Sequence, residues 1–379
     1  MAADGFAMTP EGAIRYLLDQ QLLDVRDLVE GEVRAEELWG RNENLRVVSR
    51  GARSYFVKQA RPGDEDGSAA IATEAELYAR VHAVARAWPL RTHLPRLVRH
   101  DPARALLTLE LVVGARGADE IARSDASPGV PPIGAALGSA LAACHATLRP
   151  DGEIAAGAGF LESSPPTALE IARPSPDDLR DISPAQIELL QLVQQRPHVF
   201  TAFDDMRDGW SASSLIHGDV KWSNVLVSVE TTSTGPVNVW LVDWESASWG
   251  DPAWDVGSAF HSFLLDCVHA ASDEAQETPA AAATVFASVL PAAERQVRML
   301  WENYLRRTAM ETALSHAFLN RAVRYGAARL VQSAYEWSAG EAHMPRSAVG
   351  AAQLSVNILE QPAIACSVLL GIAGEATAA

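Results

Sequence analysis

The sequence predicts an α+β chain: a small antiparallel sheet carrying one helix, followed by a larger and mainly helical part. Three observations predict it. Short apolar runs separated by turn signals crowd residues 33–112 in the order β-β-β-α-β-β. Beyond about residue 113, helical periodicity takes over. One more hairpin pattern, at 225–242, interrupts the helices and has polar residues at both of its open ends.

In chain order, residues 10–30 read as a helix with Thr9 as N-cap, Pro10 at the first position and Ile14, Leu17, Leu18 and Leu22 on one stripe. "VRAEELW", "NLRVV" and "SYFVKQA" read as strands, the first two linked by "GRNENL" and the last two by the tight turn "RGAR". "GDEDGS" reads as a polar loop and 69–87 as a helix. "LPRLVRH" and "ALLTLELV" complete the sheet, joined at Asp101-Pro102-Ala103. After a Gly/Pro/Ser-rich piece, 114–132, an apolar helix covers 133–148, and 149–183 reads as irregular. Ser183-Pro184 caps a helix carrying Ile187, Leu190 and Val193. In the hairpin, "VLVSV" and "VNVWLV" flank "ETTSTGP". From about 252 the chain is helical, with breaks expected near 272–279, 291 and 338–346.

The 379 residues suffice for two or three lobes around large cores. The formal charge of −17 argues against nucleic-acid binding, which needs a basic footprint. It is compatible with a cationic partner, although most acidic surfaces serve only solubility. Cys144, Cys267 and Cys366 show no metal or redox spacing and read as reduced thiols of a cytoplasmic protein. The first residues lack the pattern of a signal peptide, and no apolar stretch is long enough to span a bilayer.

Of 31 basic residues, 29 are Arg and only Lys58 and Lys221 are Lys. An ammonium is a compact point charge and a guanidinium a broad planar fork, so a tight site for a point charge cannot use Arg. Chance survival of two lysines explains the count equally well until their surroundings are read. Lys221 lies in "LIHGDVKWSNVLV", between His217, Asp219 and Asn224. A hairpin brings its open ends together, so Asn224, before the first strand, and Asp243, after the second, should lie side by side with Asp219 nearby. Amide and carboxylate oxygens in that arrangement suit Mg²⁺, which takes one or two protein carboxylates and completes its shell with phosphates and waters. Asp219 would remain free to accept a proton from a hydroxyl.

"IHGDVKWSNVLV", "LVDWES" and "WGDPAWDVG" resemble the catalytic core of aminoglycoside phosphotransferases and choline-kinase-like enzymes, over about residues 35–260. The pattern is His-x-Asp-x-x-x-x-Asn, a hairpin, then Asp. The resemblance implies a two-lobed protein-kinase-like fold, with an N-lobe at 1–112 and a C-lobe at 113–379, using ATP and Mg²⁺. It implies Asp219 as catalytic base, Asn224 and Asp243 as metal ligands, His217 as a buttress and Asp255 as a brace of the catalytic loop. It places Lys58 on the α- and β-phosphates, partnered by a helix glutamate. Glu74 lies on the apolar face of its helix and Glu76 about 200° away, so Glu74 is the expected partner. Backbone groups near Glu110 and Val112 would bond adenine. Asn42 or Asn44 would contact phosphate from a loop with one glycine, a departure from a Gly-rich turn. Lys221 matches a lysine of Ser/Thr protein kinases that touches the γ-phosphate, which many aminoglycoside-type enzymes lack; a surface lysine is the bland alternative.

Other chemistries lack their residues. There is no GxxxxGK[ST], no GxGxxG, no HExxH and no Cys/His cluster, and "GWSAS" lacks the final glycine of a nucleophile elbow. A non-catalytic pseudokinase usually loses a base, ligand or clamp lysine, and here all are present. The expected acceptor is the hydroxyl of a small molecule, of aminoglycoside or amino-alcohol type. The alternative is Ser/Thr of a peptide during lanthipeptide-like maturation. "WGDPAWDVG" follows Asp243 at once and leaves no room for an activation segment, which disfavours a general protein kinase.

Overall fold

The computed structural model describes residues 8–30, 32–38, 40–51, 53–84, 87–124, 133–147, 161–229, 237–272 and 278–372. Helices α1 (Pro10–Asp19) and α2 (Val25–Glu30) precede β1 (Arg34–Leu38), β2 (Glu43–Val48) and β3 (Tyr55–Gln59). Helix α3 (Glu65–Ala83) and one turn, α4 (Trp88–Arg91), lead to β4 (Leu97–Asp101) and β5 (Leu106–Glu110). These five strands form one antiparallel sheet in the order β1-β2-β3-β5-β4.

Successive residues of a strand face opposite sides of the sheet. Tyr55 and Val57 therefore meet Ala13, Tyr16 and Leu17 of α1 in a small core behind the sheet. Leu107 and Leu109 face Ile71, Ala75 and Tyr78 of α3 in the main core. Lys58, between Val57 and Gln59, shares the α3 side.

Strand β6 (Arg116–Gly117) then pairs with β8 (Val225–Val229), which pairs with β9 (Val237–Leu241). Between them lie α5 (Ala118–Ser124), α6 (Ile133–Thr147), α7 (Pro184–Gln194), α8 (Pro197–Asp208) and β7 (Ser214–Ile216). Strand β10 (Ser248–Gly250) pairs with β7. Helices α9 (Pro252–Ala271), α10 (Pro279–Thr308), α11 (Thr312–Trp337), α12 (Arg346–Glu360) and α13 (Pro362–Val368) complete the chain. The small residues of α6 let it lie against α10: a Cβ on Gly138 would sit 2.2 Å from the Leu300 carbonyl oxygen.

Four expectations are corrected. The helix at 10–30 is two helices, because the chain turns at Gln20–Leu22, with Gln21 in the left-handed region at φ 57°. The helix at 69–87 begins at Glu65 inside "GDEDGS", where Asp64 accepts from Gly67 N at 2.8 Å and Glu65 and Asp66 face the positive end of the helix dipole. Residues 118–124 of the Gly/Pro/Ser-rich piece are helical. Helix α10 runs through Pro291 without ending, and the break comes at Ala309, left-handed at φ 49°. The first-turn assignments at Thr9 and Ser183 hold, the latter as a full capping box with Gln186. "ETTSTGP" and residues 149–160 lie outside the described residues. The three cysteines are free and buried. Among the described residues no helix is long and apolar enough to cross a membrane.

Candidate active site

The catalytic-loop sequence enters from β7. Gly218 has φ +82°, and a Cβ there would lie 2.2 Å from Ser246 O, so only glycine lets the loop pass the β9–β10 connection. Asp255, fully buried near the start of α9, accepts from His217 N at 2.7 Å, Gly218 N at 3.0 Å and His145 Nε2 at 3.1 Å. One carboxylate thus holds two successive backbone amides of the loop.

His217 ties that loop to the far end of the hairpin. Asp219 N donates to His217 Nδ1 at 3.3 Å, so the proton sits on Nε2, which donates to Val242 O at 2.9 Å. The ring packs on Trp244 with centroids 4.6 Å apart. Val242 N donates to Asn224 O at 3.0 Å, which closes the hairpin and sets Asn224 beside the residue preceding Asp243. Asp243 is left-handed at φ 66°, an uncommon conformation for a residue other than glycine.

Lys58 is 3% exposed and its ammonium meets three carboxylates: Glu74 Oε2 at 2.9 Å, Glu245 Oε2 at 3.0 Å and Asp243 Oδ1. Burial alone would lower the lysine's pKa, but the charges of Glu74, Asp243 and Glu245 outweigh it and raise it above its ordinary value. Glu74 also accepts from Trp244 N at 3.2 Å, so a residue of α3 touches the segment after β9 directly. Glu76 pairs instead with Arg80, at the surface.

Asn42, buried between β1 and β2, donates to Glu245 Oε2 at 3.2 Å. Asn44 lies opposite Lys58 in the β2–β3 register. The Glu110 side chain pairs with Arg96 at 2.8 Å in an exposed position, and its backbone N–H is taken by Arg96 O. Val112 is half-buried, two residues past β5.

Asp219 is more heavily partnered than the sequence suggested. Its Oδ2 meets Lys221 Nζ at 2.7 Å and Asn224 Nδ2 at 3.2 Å, and its Oδ1 accepts from Arg329 Nη2 at 2.8 Å. It is therefore not a free carboxylate. Burial alone would raise its pKa, but Arg329 and Lys221 hold it well below the ordinary range, so it is ionised at any neutral pH.

Two residues here escaped the sequence reading. Glu245 lies two positions after Asp243 in the quoted "LVDWES", and its spacing was a usable signal. Arg329 on α11 had none: it is one of 29 arginines and sits 110 residues from its partner.

Three carboxylates share one lysine in a partly buried space, an acidic surrounding that suits a hard divalent cation. Among the described residues no group of three or more His, Cys, Asp or Glu side chains is placed to hold a metal ion by itself. Such an ion would need amide, phosphate and water oxygens as well, as Mg²⁺ ordinarily does.

The fold is shared with solved structures of low sequence identity. A choline kinase from Cryptosporidium parvum Iowa II superposes with a TM-score of 0.53 at 11% identity, over 95% of this chain and 98% of that one. The amicoumacin kinase hAmiN, solved in complex with AMP-PNP, Ca²⁺ and Ami, gives 0.52 at 11% identity, over 92% and 93%. No curated protein matches the sequence. The model of the phosphotransferase enzyme family matches residues 34–300, which takes in the Lys58 cluster, the loop around Asp219 and the hairpin between them; the chain belongs to that family of phosphotransferase enzymes.

Proposed function

We propose that the enzyme transfers the γ-phosphate of ATP to a hydroxyl of a small molecule, of aminoglycoside or amino-alcohol type, in a cleft between an N-lobe, 1–112, and a C-lobe, 113–379. The observation that carries the proposal is the β8–β9 hairpin, which joins a loop holding Asp219 and Asn224 to a segment holding Asp243 and Glu245 against Lys58.

Lys58 holds the α- and β-phosphates, fixed by Glu74. Asn224 and Asp243 would hold Mg²⁺, which would neutralise charge on the phosphates when bound. Glu245 lies close enough to Lys58 to share that cluster. Backbone groups near Glu110 and Val112 bond adenine, and Asn42 braces the phosphate-facing loop through Glu245. Asp219 orients the acceptor hydroxyl and takes its proton, and Lys221 faces the γ-phosphate. Phosphoryl transfer needs mainly such positioning and charge stabilisation. The related hAmiN, crystallised with AMP-PNP and Ca²⁺, supports an adenine nucleotide and a divalent cation as the donor pair.

The position of Lys221, two residues after Asp219, is the ground for a second acceptor, Ser/Thr of a peptide, because a lysine there belongs to the Ser/Thr-kinase pattern. An ADP-release screen with aminoglycosides, amino alcohols and Ser/Thr peptides, with and without Mg²⁺, tests both. Release with a small molecule supports the first reading and release with a peptide alone the second. ATP binding without turnover on any acceptor would leave a pseudokinase.

A further inference from the structure

We propose that Arg329 is the positioning residue for the phosphoryl acceptor: it fixes Asp219 so that one lone pair of Oδ1 is left to receive the acceptor hydroxyl. The proposal rests on the phosphotransferase reading and names a determinant of the same site.

A carboxylate offers about four lone-pair directions, two on each oxygen. On Asp219, Oδ2 has both occupied, by Lys221 Nζ at 2.7 Å and Asn224 Nδ2 at 3.2 Å. Oδ1 has one partner among the described residues, Arg329 Nη2 at 2.8 Å. A hydroxyl approaching this carboxylate therefore finds its place on Oδ1, beside the guanidinium. Rotation of Asp219 away from that pose breaks a charge-assisted bond on each oxygen.

The guanidinium is itself held from three sides. Its Nη1 donates to Gln332 Oε1 at 2.6 Å, and Gln332 Nε2 donates to Glu336 Oε1 at 2.8 Å. Residues 329, 332 and 336 follow the i, i+3, i+7 spacing of one helix face, so α11 presents them as a ladder ending at Asp219. The guanidinium carbon lies 5.7 Å from the ring centroid of Trp254. The indole of the same Trp254 donates to Gly218 O at 2.8 Å, one residue before Asp219. Trp254 thus sets both the loop backbone and the arginine that grips its side chain.

Arg329 is 6% exposed, yet its Nε–H is buried with no acceptor. Lysine cannot replace this residue: a point charge reaches Asp219 or Gln332 but does not bridge them in one plane.

The test measures ADP release by wild type, R329M, R329K and R329A on the panel acceptor that wild type phosphorylates, with ATP·Mg²⁺ affinity and melting temperature measured alongside. Turnover of R329M should fall by about 10²-fold, the cost of a misplaced catalytic group, with KM for ATP unchanged. R329K should stay impaired. Added guanidinium should restore turnover to R329A by filling the vacated space, a response that loss of a merely structural contact does not give. Wild-type turnover in R329M or R329K overturns the proposal and leaves the phosphotransferase reading standing. So does a loss of ATP·Mg²⁺ affinity in parallel with turnover, which means a fold-wide role. If R329M and R329A do not fold, the turnover of R329K decides. Failure of wild type to release ADP with any acceptor overturns the phosphotransferase reading, and this proposal falls with it.

Discussion

Lys58 and Glu74 meet at 2.9 Å between side chains that are 4% and 1% exposed. Breaking a buried ion pair from one side leaves an uncompensated charge. Here, removing the lysine leaves three carboxylates facing one another.

Lys58→Met should therefore destabilise the fold by about 3–5 kcal/mol, the range for a broken buried pair, less whatever protonation of Glu74 recovers. Denaturant unfolding at neutral pH measures it. Lys58→Arg keeps the charge but needs space for a planar fork among Glu74, Asp243 and Glu245. It should lose turnover by about 10²–10³-fold, the range for one lost electrostatic contact. Full activity in Lys58→Arg, read by ADP release, would show that the scarcity of lysine in this chain was coincidence.

Asp219→Asn should cost about 10²–10⁴-fold in turnover while ATP·Mg²⁺ binding persists, because a lost general base affects the chemical step. The amide keeps one acceptor oxygen, which can serve Arg329 on the Oδ1 side, while its NH2 takes the place of the Oδ2 that meets Lys221 and Asn224; the melting temperature should fall modestly and the rate far more. Single-turnover kinetics separates the two. A near-normal rate removes Asp219 from that role.

Gly218→Ala combines a left-handed backbone at φ +82° with a Cβ placed 2.2 Å from Ser246 O. The loop must shift to relieve it, and Asp219 shifts with it. A loss of stability above about 1 kcal/mol is expected from the backbone conformation alone. Turnover should fall further than the stability loss explains. Circular dichroism melts beside ADP-release rates test this.

Burial raises the Asp266 carboxyl to about 6, and the Trp222 indole N–H at 2.9 Å only partly offsets it. Its folded value is above its unfolded one, so the folded state binds the proton more tightly. The stability this contributes is fully present below about pH 4 and is lost as pH rises through about 6. Asp266→Asn keeps the acceptor for Trp222 and removes the charge. The variant should melt above wild type at pH 8 and match it more closely at pH 4.5. An equal difference at both pH values would remove Asp266 as the source.

Much of the site was legible because its residues lie in local motifs. The run from His217 to Asn224 and the hairpin to Asp243 occupy fewer than thirty consecutive positions, and strand alternation brings Lys58 to the α3 side. Glu74 could be separated from Glu76 by helical angle alone. Helix boundaries were less legible where one residue type serves two ends. The acidic "GDED" reads as a loop by polarity and as a helix start by capping, and the Asp64 cap decided for the helix. The break set at Pro291 failed because packing of the following turns outweighs one missing hydrogen bond. Arg329 was beyond reach, since only the folding of α11 onto α9 brings it to Asp219.

Pro291 also divides α10 into unequal halves. Its missing N–H leaves the Ala287 carbonyl without the usual donor four residues on. Every buried residue of the helix, from Ala293 to Tyr304, comes after it. The twelve residues Pro279–Leu290 are thus joined to a firm rod by a weakened link. Amide hydrogens ahead of Pro291 should exchange with solvent by local fraying, while those beyond it wait for global unfolding.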